Sequence, residues 1–141
     1  MEKNYYITTP IYYVNDKPHI GHAYTSIACD VIARFKRLDG YNVKFLTGTD
    51  EHGQKVEKAA ISQNKTPLEY ADFISKDFRS LTKILNLSND DFIRTTENRH
   101  KIASENLWKK LHENNHIYLD KYSGWYALKD EAFYSEKEIT N

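Results

Sequence analysis

The sequence predicts an α/β fold built on a parallel sheet with helices on its faces. Three observations carry that expectation. Short aromatic and β-branched runs alternate with longer stretches of helical periodicity, in the order β-α-β-α-α-β-α. The first two strand candidates each lead into a polar loop that contains or borders glycine, where ligands of open α/β sheets sit. No internal repeat or low-complexity segment competes with this reading.

Taken in order, Tyr5-Tyr6-Ile7-Thr8-Thr9 reads as a short strand stopped by Pro10. A loop follows as far as about Gly21. From His22 to Leu38 apolar residues recur at Ala23, Ile27, Val31 and Phe35, one face of a helix, and Gly40 marks its end. Residues 42–47 form the second strand candidate and lead into Gly48-Thr49-Asp50-Glu51-His52-Gly53. A short helix is expected over residues 54–63. Thr66, Pro67 and Glu69 then combine an N-cap, a first-turn proline and a capping-box glutamate, opening a helix with a stripe of Tyr70, Phe73, Ile74, Phe78, Leu81 and Leu85. Residues 91–95 are a third strand candidate, with Thr96 as cap of a last helix through Ile102, Leu107 and Leu111. Beyond His116 the pattern changes to short aromatic runs, as at the start of a second, β-containing module.

Bulk properties exclude several classes. The 141 residues suffice for roughly one domain but are too few for a complete multidomain enzyme. Twenty basic residues balance twenty acidic ones, so no global positive field advertises nucleic acid, and a polynucleotide would need a local patch or further parts. The single Cys29 has no disulfide partner and suits a small buried thiol in a reducing compartment. No stretch reads as a membrane span, and the amino terminus leaves no room for a targeting peptide, so a cytoplasmic location is expected.

Two segments carry chemistry. His19-Ile20-Gly21-His22 lies between a strand and a helix, where free helix-terminal N–H groups and two imidazoles can meet a phosphate. Alone the pattern is weak, because histidines three apart also occur in metal sites and on ordinary surfaces. Asp50, Glu51 and His52, at the end of the neighbouring strand, suit capture of an ammonium group, although helix N-capping is the ordinary use of one of the two carboxylates. The loop tyrosines at 12 and 13 could floor a pocket or pack under the sheet edge.

These blocks, together with Thr8-Thr9-Pro10-Ile11-Tyr12-Tyr13-Val14-Asn15, Asp39-Gly40-Tyr41 and Phe92-Ile93-Arg94-Thr95-Thr96-Glu97, resemble the bacterial methionyl-tRNA synthetases in one colinear order. His-Ile-Gly-His by itself is similar to class I aminoacyl-tRNA synthetases in general, whereas the Thr-Pro-Ile-Tyr-Tyr and Gly-Thr-Asp-Glu-His-Gly blocks resemble the methionine branch. The resemblance implies the first half of a Rossmann-like nucleotide-binding catalytic domain over residues 1–115. It also implies the incomplete start of an inserted β-containing connective domain over 116–141. It implies a methionine–tRNA ligase that activates L-methionine with ATP and Mg2+ and passes it to tRNA(Met). His19 and His22 would act on the ATP phosphates, Gly21 would contact adenosine, and Ile11, Tyr13 and Asp50 would hold methionine.

Two departures from the family's pattern matter. The second phosphate element, Lys-Met-Ser-Lys-Ser, and the anticodon-binding domain are absent from these residues, which implies an amino-terminal fragment inactive alone. Where some members carry a cysteine pair this chain has Ala127 and Asp130, so no zinc site, and no other metal site, is expected here. Two alternatives stand: a class I synthetase for another amino acid, and a metal-dependent hydrolase gathering His19, His22, Asp50 and His52 around a divalent ion.

Overall fold

The computed structural model describes residues 3–139. The chain divides into two compact units, one ending at Ile102 and one beginning at Ala103. In the first, the elements are β1 (Asn4–Thr8), β2 (Tyr12–Tyr13), α1 (Ile20–Leu38), β3 (Asn42–Asp50), α2 (Gln54–Ser62), α3 (Pro67–Ile84) and β4 (Asp91–Arg94). A helix α4 (Asn98–Glu113) crosses the division, and the second unit carries the antiparallel hairpin β5 (Trp125–Ala127) and β6 (Ala132–Tyr134). The boundary expected between residues 115 and 116 follows the end of α4, whereas the contacts part within that helix.

The sheet is parallel throughout, with β3 at its centre. Carbonyls of Leu46 and Asp50 accept from the N–H groups of Thr9 and Val14, while those of Phe45 and Thr49 accept from Asp90 and Thr95. Because carbonyls alternate along a strand, β1 and β2 therefore share one edge of β3, and β4 takes the other. Pro10 interrupts β1, and the chain rejoins the same edge one step further on as β2, a strand absent from the expected order.

β3 is longer than its apolar pattern suggested. It runs through Gly48 and Thr49 to end on Asp50, so this residue belongs to the strand and not to the loop after it. Gly48 permits the extension: a Cβ there would lie 2.0 Å from the carbonyl oxygen of Ile93 on β4. Any side chain at this position must push the two strands apart.

The helices start where their caps dictate. α3 opens as its capping box requires, with Glu69 N–H donating to Thr66 Oγ1 and Thr66 N–H to the Glu69 carboxylate. α1 begins at Ile20, two residues before its apolar periodicity. Of its expected face only Ala23 is buried: Ser26, Asp30 and Ala33 are the other buried residues, whereas Val31 and Phe35 are each 60% exposed. Small side chains let the helix approach the sheet closely. Asp30 anchors it, accepting from Ser88 N–H and Oγ at 2.6 Å and from Arg34 Nε at 2.7 Å. Burial works to raise the Asp30 pKa, but the hydrogen bonds from Ser88 and Arg34 outweigh it and hold the carboxyl below its ordinary range.

On α3, Phe73 of the expected stripe is exposed, while Tyr70, Ala71, Ile74 and Phe78 join Tyr12, Val14, Val56, Ala60 and Phe92 in the core. Helix α4 starts at Asn98, and the Thr96 hydroxyl, instead of capping it, donates to the carboxylate of Glu51. Cys29 is half-buried, and its thiol reaches the Thr8 carbonyl at 3.6 Å. In the second unit, Phe133 packs edge-on to Tyr122 at 4.9 Å between ring centres. Among the described residues no helix is long and apolar enough to cross a membrane.

Candidate functional site

The two histidines are built into the start of α1. Extended backbone at His19 makes it the N-cap, and its Nδ1 accepts the Gly21 N–H at 3.1 Å. His22, one turn in, accepts the N–H of His19 on its own Nδ1, also at 3.1 Å. The pair is thus a capping box made of imidazoles. Two consequences follow. With both Nδ1 atoms engaged as acceptors, the network assigns the neutral rings a proton on Nε2, leaving that N–H as the outward donor. The expected free N–H groups of this helix end are largely taken: Gly21 donates to the His19 ring and His22 to the His19 carbonyl. An anion here meets imidazole donors first.

Gly21 also acquires a local reason. A Cβ at this position would lie 2.9 Å from His19 Cε1, so glycine leaves the space into which the capping ring folds.

Burial lowers the His22 pKa below its ordinary 6.5, and the neighbouring His19 adds to the shift. Protonation would also turn the accepting Nδ1 into a donor and break the cap. A histidine with a depressed folded pKa contributes stability that is whole above 6.5 and lost as pH falls through the lower folded value. The stability advantage of the protein over a His22→Gln variant should therefore be constant above pH 6.5 and shrink below it. Denaturant titrations across that pH would show this; a constant difference would remove the role of His22 in the cap.

Strand β2 ties the histidines to the other half of the site. Tyr12 is buried, its hydroxyl 2.9 Å from Ser26 Oγ, and its ring centre lies 4.8 Å from that of His22. Phe78 of α3 stacks on Tyr12 at 5.6 Å and meets His22 edge-on at 5.1 Å. The next residue, Tyr13, stands opposite Asp50 in the parallel ladder. One two-residue strand therefore touches one candidate phosphate donor, His22, with its first side chain and aligns with the candidate ammonium acceptor at its second. Ile11 and Tyr13 are 40% and 38% exposed at this end of the sheet, and Lys55 Nζ lies 5.9 Å from the Tyr13 ring centre.

The neighbours of Asp50 differ from their expected use. Neither carboxylate caps a helix: α2 has Gly53 as its N-cap, without a side-chain hydrogen bond. Glu51 is turned inward, where Arg94 holds both of its oxygens at 2.7 and 2.9 Å. His52 is exposed and places Nε2 3.4 Å from the Thr95 carbonyl. Among the described residues no group of three or more His, Cys, Asp or Glu is arranged to hold a metal ion. The donor set of the metal-dependent hydrolase reading is thus not assembled. Phe78 and Arg94 are the supporting residues that sequence reasoning missed; Tyr12, left open between a pocket floor and packing under the sheet edge, is buried, as alternation across Tyr12-Tyr13-Val14 could have marked.

Residues 5–141 match the family described as tRNA synthetases class I (M). The chain is 64% identical over its whole length to the methionine–tRNA ligase of Rickettsia felis and 56% identical over 137 residues to that of Bacillus subtilis. It spans 28% and 21% of those two proteins. A Mycobacterium tuberculosis methionyl-tRNA synthetase in complex with methionyl-adenylate superposes with a TM-score of 0.90 at 52% identity, over 96% of this chain and 27% of that one. The parallel-sheet fold is thus shared with that synthetase, and the family match covers nearly the whole sequence, so the chain belongs to the class I tRNA synthetases of the (M) family.

Proposed function

We propose that this chain forms the amino-terminal part of a methionine–tRNA ligase and contributes the ammonium and α-phosphate contacts of methionine activation. The observation that carries the reading is the double engagement of β2, with Tyr12 against His22 and Tyr13 opposite Asp50. Such an arrangement suits a reaction joining a cationic amine-bearing substrate to a phosphate.

In this reading a methionine carboxylate oxygen attacks the α-phosphorus of ATP, and the bond to pyrophosphate breaks as the new bond forms. Negative charge grows on the phosphate oxygens. The Nε2–H groups of His19 and His22 donate to that charge, and as preset donors they need no reorganisation. Asp50 binds the ammonium, with Tyr13 and the Ile11 carbonyl beside it, and Gly21 lies against the adenosine. The adenylate is then passed to the 3′-terminal ribose of tRNA(Met). Mg2+ would arrive with the ATP phosphates. Residues 1–115 are read as catalytic-domain sequence and 116–141 as the start of a connective domain, in a cytoplasmic enzyme. The methionyl-adenylate complex of the similar mycobacterial protein supports the choice of amino acid.

Methionine-dependent ATP–pyrophosphate exchange by the full-length protein tests this. Asp50→Ala should raise the methionine KM by about 10-fold or more, the cost of a lost hydrogen bond to a charged group, and leave the ATP KM little changed. Exchange supported equally by an unrelated amino acid would overturn the substrate.

A further inference from the structure

Beside Asp50 lies a charged pair that the proposed reaction does not use. The Glu51 side chain is fully buried and that of Arg94 is 19% exposed. Burying a carboxylate is costly unless it is paired and hydrogen-bonded. Here Oε1 accepts from Arg94 Nε and Thr49 Oγ1, both at 2.7 Å, and Oε2 accepts from Arg94 Nη2 at 2.9 Å and from Thr96 Oγ1. Arg94 also reaches Asp72 of α3 at 2.5 Å. Stability alone does not call for this, because a well-packed apolar pair in such a place is commonly as stable or more so. What directional, two-point bonds add is orientation.

The object oriented is Asp50. Side chains alternate along β3, so Thr49 and Asp50 face opposite ways, and Glu51, just past the strand's end, bonds back to Thr49 on the face away from Asp50. Both of its chain neighbours are bonded to each other through the Glu51 carboxylate. The backbone is pinned on the two flanks: Glu51 N–H donates to Thr95 Oγ1 at 2.9 Å, and the Asp50 carbonyl accepts from Val14 N–H at 3.3 Å. With the residues before and after it fixed, the Cα–Cβ direction of Asp50 is fixed as well.

We propose that Glu51 and Arg94 are a positioning pair that aims the Asp50 carboxylate at the substrate ammonium, resting on the methionine-activation reading above. The pair touches no substrate. Its effect is to set the geometry of amino-acid capture, and it should leave ATP binding alone.

The test is steady-state pyrophosphate exchange by the full-length protein, varying methionine and ATP separately. Glu51→Gln keeps the shape and removes the charge, and Glu51→Leu with Arg94→Met replaces the pair by apolar side chains and avoids an unpaired buried charge. Both should raise the methionine KM by about tenfold, as misplacement of a binding group by a fraction of an ångström does, with the ATP KM and kcat within about twofold. Arg94→Lys, which keeps the charge and loses the fork, should fall between them and the wild type. If Glu51→Gln fails to fold, the double variant decides. A wild-type methionine KM in the double variant overturns the proposal, as does an equal rise in both KM values. If the wild-type protein exchanges with another amino acid instead, the methionine reading fails, and the same KM split for that amino acid still decides the role of the pair.

Discussion

Replacing His22 by alanine in the full-length protein is expected to lower methionine-dependent pyrophosphate exchange by about 10²–10³-fold, the loss typical of one preset transition-state donor. The same holds for His19. The fall should lie in kcat more than in either KM, because the donated hydrogen bond strengthens as charge moves onto the phosphate. Each substitution also removes a bond of the helix cap, which costs about 1 kcal/mol of stability, so stability and chemistry need separating. His19→Asn does this: asparagine is a good N-cap, and should recover the melting temperature but not the rate. Near-wild-type exchange in both alanine variants would remove the histidines from the chemistry. A rate recovered in parallel with stability would make them structural.

Phe78→Ala should destabilise the protein by about 3–5 kcal/mol, the usual result of emptying a core position that held a phenyl ring. Phe78 is 1% exposed and packs on both Tyr12 and His22. Phe78→Leu keeps most of the volume and should cost much less, about 1.5 kcal/mol or below. Denaturant unfolding followed by circular dichroism would rank the two. The ring also walls His22, so exchange measured well below the unfolding transition should drop in Phe78→Ala even where the protein is fully folded. An unchanged rate there would confine Phe78 to stability.

Much of this architecture was legible in the sequence, for reasons that differ by element. Thr66, Pro67 and Glu69 announce α3 because capping is a local affair, settled within four residues. The candidate site residues were chosen through the colinear blocks that resemble a family, more than through spacing alone. What stayed hidden depends on partners far along the chain. The continuation of β3 through Gly48 depends on how near Ile93 comes, 45 positions away by number. The inward turn of Glu51 depends on Arg94 being on the adjacent strand. The burial of Ser26 and Asp30 in place of Val31 and Phe35 depends on which side of α1 the sheet occupies, and periodicity alone cannot choose between two faces of one helix.

The return of the chain to the same edge of β3 after Pro10 has a bearing on redesign. Because β2 contacts the His22 imidazole and lines up with Asp50 within two residues, the loop from Thr9 to His19 is a shared mount and not two adjustable ones. On the proposed reading of the site, lengthening or shortening it would shift amino-acid recognition and nucleotide chemistry together. Efforts to change which amino acid is accepted are better directed at residues reached from outside this loop, where one half of the site can be altered and the other left in register.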